Sequence, residues 1–258
     1  ALADEARDWE ASMAAAETTL RDGRYADAVA ASQRAVGQAQ AFGIQDERHV
    51  RALNSLAEAQ NYKGDFVFAE ANARKALALG EKHLGPQAME VARSFNYLAD
   101  ALGGLNRDSE CEALYQRALE INRKVLGPGH PNTAESLANL GMVYCGQQKY
   151  RDAETFLQEA MAIYEKAKDA QKAAVCLNNL AYLHAEQEMY PKAEKEYRRT
   201  LEIRQGILRP DHPDIGAACS NLSSALQSAG RNDEAAKLLE RAVEIARKDD
   251  PEGVGLAY

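Results

Sequence analysis

Three asparagines stand directly before a leucine at nearly regular intervals in the second half of the chain. Asn139, Asn179 and Asn221 are 40 and 42 residues apart. A carboxamide offers both a donor and an acceptor, so it can bind the N–H and the C=O of a peptide backbone without reading the peptide's side chains. A ladder of such groups would hold an extended peptide in register. A helical asparagine can also face solvent, or it can bond a neighbouring loop and brace the structure.

Residues that could carry catalysis are few and scattered. The sequence contains no glycine-rich phosphate loop, no serine-nucleophile elbow and no HExxH motif. Cys145 and His184 fall in neighbouring repeats and could approach each other, but no third residue is evident that would orient them. His130 and His212 each precede a proline, where a helix-start role is expected. We therefore predict no enzyme, no bound metal and no cofactor.

The four cysteines show no CxxC pair, since they lie 34, 31 and 43 residues apart. Buried free thiols in a reducing compartment are expected from this spacing, with a metal or redox role as the alternative. The cysteines are Cys111, Cys145, Cys176 and Cys219.

Charge and hydropathy exclude two classes of partner. The chain has 258 residues and a formal net charge of −8, so it repels phosphate backbones and nucleic acid is not an expected partner. Its apolar runs are far shorter than the roughly 20 residues of a membrane-spanning helix, and no signal peptide is visible. A cytoplasmic protein is predicted. The chain begins with Ala1 rather than Met, which indicates a processed product or an excised fragment.

The elements that position the asparagines repeat with the same period. Five leucines in a similar context are 42, 42, 40 and 42 residues apart, and each is followed by a small residue and a larger apolar one at helical spacing. Each repeat therefore reads as two helices, and the chain is predicted to be all-α. The leucines are Leu56, Leu98, Leu140, Leu180 and Leu222.

A short loop connects one repeat to the next. In LGPGHP, at residues 126–131, Gly127 is expected to end one helix in the left-handed conformation, Pro128 prevents its continuation, and Pro131 opens the next helix. We predict one array over residues 1–248 and a flexible tail at 249–258. The predicted units are approximately 6–46, 47–88, 89–131, 132–170, 171–213 and 214–248.

These marks resemble the tetratricopeptide repeat, whose pattern is L-x-x-L-G-x-x-Y, then A-x-x-x-L, then A. The 42-residue period, LGPGHP and the LNNLA at 177–181 resemble the kinesin-light-chain type. The resemblance implies a right-handed superhelical solenoid of about six helix-turn-helix units, whose first helices line a concave groove. Asn106 and Glu188 stand where a turn glycine is usual in this pattern.

The resemblance also implies which residues line that groove. The residue directly before each repeated leucine, and the residue one step earlier, are expected to line the groove. Two arginines are expected near one rim, and a methionine and a tyrosine one helical turn below the asparagines. Small residues beside Met142 and Tyr182 either leave a hollow for an apolar side chain or permit close helix packing. The predicted site is Asn139, Asn179, Asn221, Asn54, Asn96, Asn178, Arg51, Arg93, Met142 and Tyr182.

The function predicted from these features is a non-catalytic scaffold or adaptor that binds an extended peptide segment of a partner protein. An internal segment is favoured, because the lining positions carry no lysine for a terminal carboxylate. The alternative is a sensor or oligomerisation domain of a larger signalling or regulatory protein. The apolar tail, Val254 to Tyr258, is either disordered, docked on the last unit, or bound in the groove of another molecule and so a means of self-association.

Overall fold

The computed structural model describes residues 2–249, and this stretch of the chain is all-α, as predicted. Its twelve α-helices follow one another in pairs, with short 3-10 turns at Gln40–Phe42 and Asp108–Glu110. Of the predicted tail, residues 249–258, Asp249 is the last residue of α12, and residues 250–258 lie outside the described residues. The helices are α1 (Leu2–Arg21), α2 (Tyr25–Ala39), α3 (Glu47–Lys63), α4 (Phe66–His83), α5 (Met89–Gly104), α6 (Cys111–Val125), α7 (Pro131–Gly146), α8 (Tyr150–Lys166), α9 (Ala170–Glu186), α10 (Tyr190–Ile207), α11 (Pro213–Ser228) and α12 (Asn232–Asp249).

The chain divides into two compact units, Ala1–Val143 and Tyr144–Tyr258, which we call the N-terminal and the C-terminal unit. Within the N-terminal unit each helix packs on the next from α1 to α6, and α3 also packs on α5. Within the C-terminal unit the same neighbour packing runs from α8 to α12. The helix pairs follow the order of the six predicted repeats, and the single continuous array stays a prediction.

The turn between the two helices of a pair places one residue in the left-handed region every time. Glycine occupies this position in three pairs, with φ of 72° at Gly23, 86° at Gly64 and 75° at Gly230. Other residues occupy it in the remaining three, with φ near 60° at Asn106, Gln148 and Glu188. The backbone therefore keeps the turn even where the sequence departs from glycine, at a conformational cost that glycine would not have.

The connector loops start and stop helices as the sequence predicted. Gly127 has φ of 89°, which ends the preceding helix, and α7 begins at Pro131. The Nδ1 atom of His130 accepts from the backbone N–H of Asn132 at 3.1 Å, and His212 accepts from Asp214 at 3.1 Å. Both histidines therefore satisfy one of the unpaired N–H groups at a helix start, which confirms their predicted role.

Small residues lie where paired helices cross. Ala153, Ala193 and Ala235 are fully buried at the same position of three successive second helices. A built Cβ on Gly216 would lie 3.4 Å from the Ile245 side chain, so α11 and α12 approach closely. The C-terminal unit has an apolar core that includes Tyr197, Leu201, Ile215, Cys219, Leu222, Leu226 and Ile245.

Candidate functional site

Two of the predicted site asparagines are buried within the N-terminal unit. Asn54 is 2% exposed, and its Nδ2 donates to the carbonyl oxygen of Glu90 at 2.9 Å and to the Oε2 atom of Glu90 at 3.0 Å. Its Oδ1 atom accepts from the Ser94 hydroxyl at 2.7 Å. The carboxamide is therefore committed to joining α3 to α5.

Asn96 has the same role in the following repeat. It is 2% exposed, and its Oδ1 atom accepts from the Ser136 hydroxyl at 3.2 Å. Ser94 and Ser136 are 42 residues apart, like Asn54 and Asn96, so the bond between the helices repeats with the period of the chain. Asn54 and Asn96 brace neighbouring helices, and we leave both out of the proposed binding surface.

Asn139 lies at the other end of the N-terminal unit and is partly buried. Its Nδ2 is 3.4 Å from the Oδ1 atom of Asp100, and the same oxygen accepts from the Tyr115 hydroxyl at 2.6 Å. Burial, followed by the charge of Asp100, raises the pKa of Tyr115 well above its usual range. The tyrosine therefore remains a neutral donor that fixes Asp100, and Asp100 in turn engages Asn139. Met142, one turn further along α7, is partly buried.

The two predicted rim arginines make contacts within their own unit. The guanidinium of Arg51 lies 5.3 Å from the centre of the Trp9 ring, which is cation–π distance. Arg93 is partly buried, and its Nη1 atom is 3.3 Å from the Oε1 atom of Glu90. Burial lowers the pKa of Arg93, but nearby negative charge, that of Glu90 first, outweighs burial and raises the pKa.

Carboxylates from three helices of the N-terminal unit lie near Arg93. Burial raises the pKa of Tyr97 well above its usual range, and the charges of Glu58 and Glu135 raise it further. Glu58 and Glu135 also contribute to the raised pKa of Arg93. Arg93 is therefore paired with carboxylates of its own unit.

The C-terminal unit brings together two predicted asparagines on its first helices. The Nδ2 atom of Asn221, on α11, donates to the Oδ1 atom of Asn178, on α9, at 3.0 Å. Asn179 follows on α9 and is partly buried. One turn further along, Tyr182 is 42% exposed, and burial first, and then the charge of Glu186, raises the pKa of Tyr182. Asn178, Asn179, Tyr182 and Asn221 form a polar surface with one large exposed ring, which we call the α9–α11 surface.

The small residues at the ends of the first helices are expected either to leave a hollow or to permit close helix packing. Gly104, at the end of α5, decides between these alternatives at one position. The Phe66 ring lies where a Cβ on Gly104 would stand, so this glycine permits close helix packing. Around Gly146, by contrast, no heavy atom lies within 4 Å of a built Cβ. The sequence offered no signal for the difference, because both glycines occupy the same place at the end of a first helix.

The buried thiols are poorly suited to nucleophilic chemistry. All four cysteines are buried and unpaired. Burial first, and then the charge of Glu186, raises the pKa of Cys145 to about 11, whereas a reactive cysteine needs a lowered pKa. The Nδ1 atom of His184 lies 2.6 Å from the Oε2 atom of Glu196, and its Nε2 atom lies 2.8 Å from the Lys192 ammonium nitrogen. The imidazole is engaged by these charged groups.

Residues 2–249 contain neither a metal-binding cluster nor a membrane-spanning helix. In that stretch, no group of three or more histidine, cysteine or acidic side chains is placed to hold a metal ion. The helices described there also lack the combination of length and apolar character that crossing a membrane requires.

Similarity to solved structures supports the fold. BtubC (BKLC) from P. vanneervenii is 22% identical, with 92% of each chain covered and a TM-score of 0.60. A kinesin-light-chain-type protein of Podosopora anserina with nearly identical TPR-like repeats is 23% identical, covering 78% of this chain and 96% of that one, with a TM-score of 0.55. A Rap protein complexed with competence and sporulation factor is 15% identical, covering 95% of this chain and 76% of that one, with a TM-score of 0.72.

No curated protein matches the chain. The family model described as tetratricopeptide repeat matches residues 90–166 and 173–248, more than half of the sequence. The helix pairs, the turn positions and the connector loops agree with that match, and two of the similar structures have kinesin-light-chain-type repeats. The chain therefore belongs to the tetratricopeptide repeat family.

Proposed function

We propose that the chain is a non-catalytic scaffold that holds an extended internal segment of a partner protein, and that the α9–α11 surface is a principal contact. The observation that carries this proposal is the Asn221–Asn178 pair beside Asn179 and the exposed ring of Tyr182. An exposed aromatic ring supplies apolar contact area, and carboxamides beside it supply directional hydrogen bonds.

The asparagine pair retains capacity for a ligand. A carboxamide has two N–H donors and an oxygen that accepts two bonds. The bond between Asn221 and Asn178 uses one donor of the first and one acceptor position of the second. The bond also fixes the orientation of both side chains, so less conformational entropy is lost when a peptide backbone binds. Asn139, at the equivalent position of α7, is proposed separately as a contact within the N-terminal unit.

An internal segment remains the favoured ligand. The predicted lining positions carry two arginines and no lysine, and Arg93 is engaged by Glu90 and the carboxylates around it. A terminal carboxylate would therefore meet net negative charge beside Arg93, where repulsion disfavours its binding. We also propose a cytoplasmic location, because four buried unpaired thiols suit a reducing compartment.

A second candidate function is a sensor or oligomerisation domain within a larger signalling protein. The observation that favours it is the similarity to the Rap structure. The matched region covers 95% of this chain and 76% of the Rap chain. A similar array therefore exists inside a longer chain, and that protein was crystallised with competence and sporulation factor.

The test begins with peptides selected from a random library displayed on phage against the full chain. Their dissociation constants are then measured for the wild type and for the double variant Asn179→Ala, Asn221→Ala. We expect weakening of about tenfold or more, since each lost hydrogen bond contributes about 0.5–1.5 kcal/mol.

A matched double variant removes carboxamides elsewhere. Gln158→Ala and Gln205→Ala alter exposed side chains of the second helices α8 and α10, and we expect unchanged peptide affinity. Circular dichroism melts verify that every variant is folded. If the asparagine variant binds the selected peptides as tightly as the wild type, the α9–α11 surface is not the contact.

A further inference from the structure

A buried histidine lies among three charged side chains in the C-terminal unit. His184, in the last turn of α9, is 2% exposed, and its Nδ1 atom lies 2.6 Å from the Oε2 atom of Glu196 on α10. Its Nε2 atom lies 2.8 Å from the ammonium nitrogen of Lys192, also on α10. The same Nε2 atom lies 3.4 Å from the Oε1 atom of Glu154 on α8. The ring therefore lies between its own repeat and the preceding helix.

The fold does not require an ionisable pair at the places of His184 and Glu196. The equivalent two positions are both leucine in two other repeats, two aromatic rings 5.4 Å apart in a third, and an amide pair joined at 2.9 Å in a fourth. Among these five repeats, only the one formed by α9 and α10 has a histidine, the side chain that titrates nearest neutral pH. The other pairs are Leu102 with Leu114, Leu226 with Leu238, Tyr144 with Phe156, and Gln60 with Asn72.

A contact between successive repeats recurs elsewhere in the chain. The fifth residue of α4 is Glu70, which pairs with Arg107 of the next repeat at 2.9 Å. The fifth residue of α10 is Glu194, which pairs with Arg231 of the next repeat. Because arginine is always charged in proteins, these two contacts do not respond to pH through their cation.

The glutamate at the same place on α8 has different partners. It is Glu154, and Met189 stands 42 residues before Arg231, where the arginine of the next repeat would be. Glu154 instead lies 3.5 Å from the Lys192 ammonium nitrogen and close to the imidazole of His184. A group that titrates near neutral pH therefore takes part in the contact that arginine makes elsewhere.

The Nε2 atom can bond only one of its two neighbours at a time. An ionised carboxylate only accepts hydrogen bonds, so Glu196 fixes the hydrogen on Nδ1. In the neutral ring Nε2 is then an acceptor, and it receives a hydrogen from Lys192. In the protonated ring Nε2 is a donor, so it repels the ammonium group, and Glu154 is the acceptor within reach.

We propose that His184 is a proton-dependent switch in the contact between α8 and the repeat formed by α9 and α10. The neutral ring is bonded to Lys192 within its own repeat, and the protonated ring exchanges that partner for Glu154 of α8. Acidification therefore strengthens the connection between successive repeats at this step. The proposal concerns the C-terminal unit alone and does not depend on the peptide-binding function.

The charged groups around the ring come from two of the helices that pack on α9. The only charged side chain of α11, Asp214, is in its first turn, whereas His184 is in the last turn of α9. On α9 itself, Glu186 is exposed two residues further on. The charged side chains in contact with the imidazole are Glu154 from α8, and Lys192 and Glu196 from α10.

Nuclear magnetic resonance of the imidazole nitrogens in the full chain tests both states. Nitrogen–hydrogen correlation spectra are recorded from about pH 8 to about pH 5, which includes the range in which a histidine titrates. His184→Gln identifies the signals of this ring by their loss. We expect the tautomer with hydrogen on Nδ1 at the alkaline end and the protonated ring at the acid end. Hydrogen on Nε2 at the alkaline end, or a ring that stays neutral throughout, overturns the proposal.

Two single variants distinguish an exchange of partners from a fixed brace. Glu154→Gln removes the charged acceptor of the protonated ring, so the midpoint of the His184 titration should move to lower pH. Lys192→Met removes the ammonium group that disfavours protonation, so the midpoint should move to higher pH. Glu154 is partly exposed and Lys192 is exposed, so both variants should fold, and circular dichroism verifies this.

Matched variants remove exposed charges from the same two helices. Glu165→Gln on α8 and Lys195→Met on α10 should leave the midpoint of the His184 titration unchanged. A midpoint that moves in the same direction in Glu154→Gln and Lys192→Met contradicts the exchange. So does a midpoint that moves no further in these two variants than in the matched ones.

Discussion

The side chain of Asn54 donates to the buried carboxylate of Glu90 at 3.0 Å, and both residues are 2% exposed. The bond joins α3 to α5 across one repeat. Asn54 occupies a register that suggested ligand binding, yet its donors and its acceptor are directed into the stack. The same polar position therefore serves the fold in the N-terminal unit, while Asn178, its equivalent on α9, orients Asn221 on the α9–α11 surface.

Removing the Asn54 side chain should destabilise the protein strongly. Asn54→Ala would leave the Glu90 carboxylate without one of its donors in a buried place, and we expect a loss of about 2–4 kcal/mol in the free energy of unfolding. Urea unfolding followed by circular dichroism measures it. Asn221→Ala, at the partly buried pair, should cost no more than about 1 kcal/mol. Equal losses in the two variants would contradict the bracing role of Asn54.

Protein stability should fall below neutral pH because of His49. This imidazole is 4% exposed, and neither ring nitrogen has a hydrogen-bond partner among the described residues. Burial first, and then the charge of Lys75, lowers the pKa of His49 below 6.5. The unfolded chain therefore binds a proton more readily than the folded one, so folding free energy is lost as the pH falls from 6.5 toward the folded pKa.

The measurement is urea unfolding of the wild type and of His49→Leu at several values from about pH 7 to about pH 5, the range in which a histidine titrates. The variant should be the more stable at the acid end and should lose less stability over this range. His83→Leu alters a histidine that is partly exposed at the end of α4 and serves as the control. If His49→Leu shows the same pH dependence as the wild type, His49 is not the group that titrates.

A turn substitution should stabilise the C-terminal unit. Glu188 has φ of 60° at the position that Gly230 occupies, with φ of 75°, one repeat later. A left-handed conformation costs an ordinary residue about 1–2 kcal/mol, and some of the gain from glycine is offset by its greater freedom in the unfolded chain. We expect Glu188→Gly to raise the free energy of unfolding by up to about 1 kcal/mol.

The reverse substitution is the matched control. Gly230→Ala places a Cβ in open space, since no heavy atom lies within 4 Å of it, so any effect comes from the backbone alone. We expect a loss of about 1 kcal/mol. Thermal and urea unfolding measure both variants. A stabilised Gly230→Ala would show that the left-handed conformation at this turn is not costly.

The sequence predicted the fold well because its marks are local. A glycine after a helix and a proline at the next helix start each act within a few residues, and the structure agrees with them at Gly127 and Pro131. The hydrogen bonds that the asparagine side chains make depend on residues about 40 positions away in the sequence. Asn54 is bound by Ser94 and Glu90 of the next repeat, whereas Asn178 is bound by Asn221. The repeat period predicts on which face of the helix a side chain lies, but it does not predict which residue the side chain bonds there.

Tyr182 should contribute to peptide binding without contributing much to stability. Its ring is 42% exposed, so Tyr182→Ala should cost less than about 1 kcal/mol of unfolding free energy, while loss of its apolar contact should weaken library-selected peptides by about tenfold. Tyr182→Phe retains the ring and removes only the hydroxyl, so it should keep most of the affinity. Tyr197→Ala, at a ring only 4% exposed in the core, should instead lower stability by about 3–5 kcal/mol. Calorimetric titration and urea unfolding separate these effects, and wild-type affinity in Tyr182→Ala would remove the ring from the proposed contact.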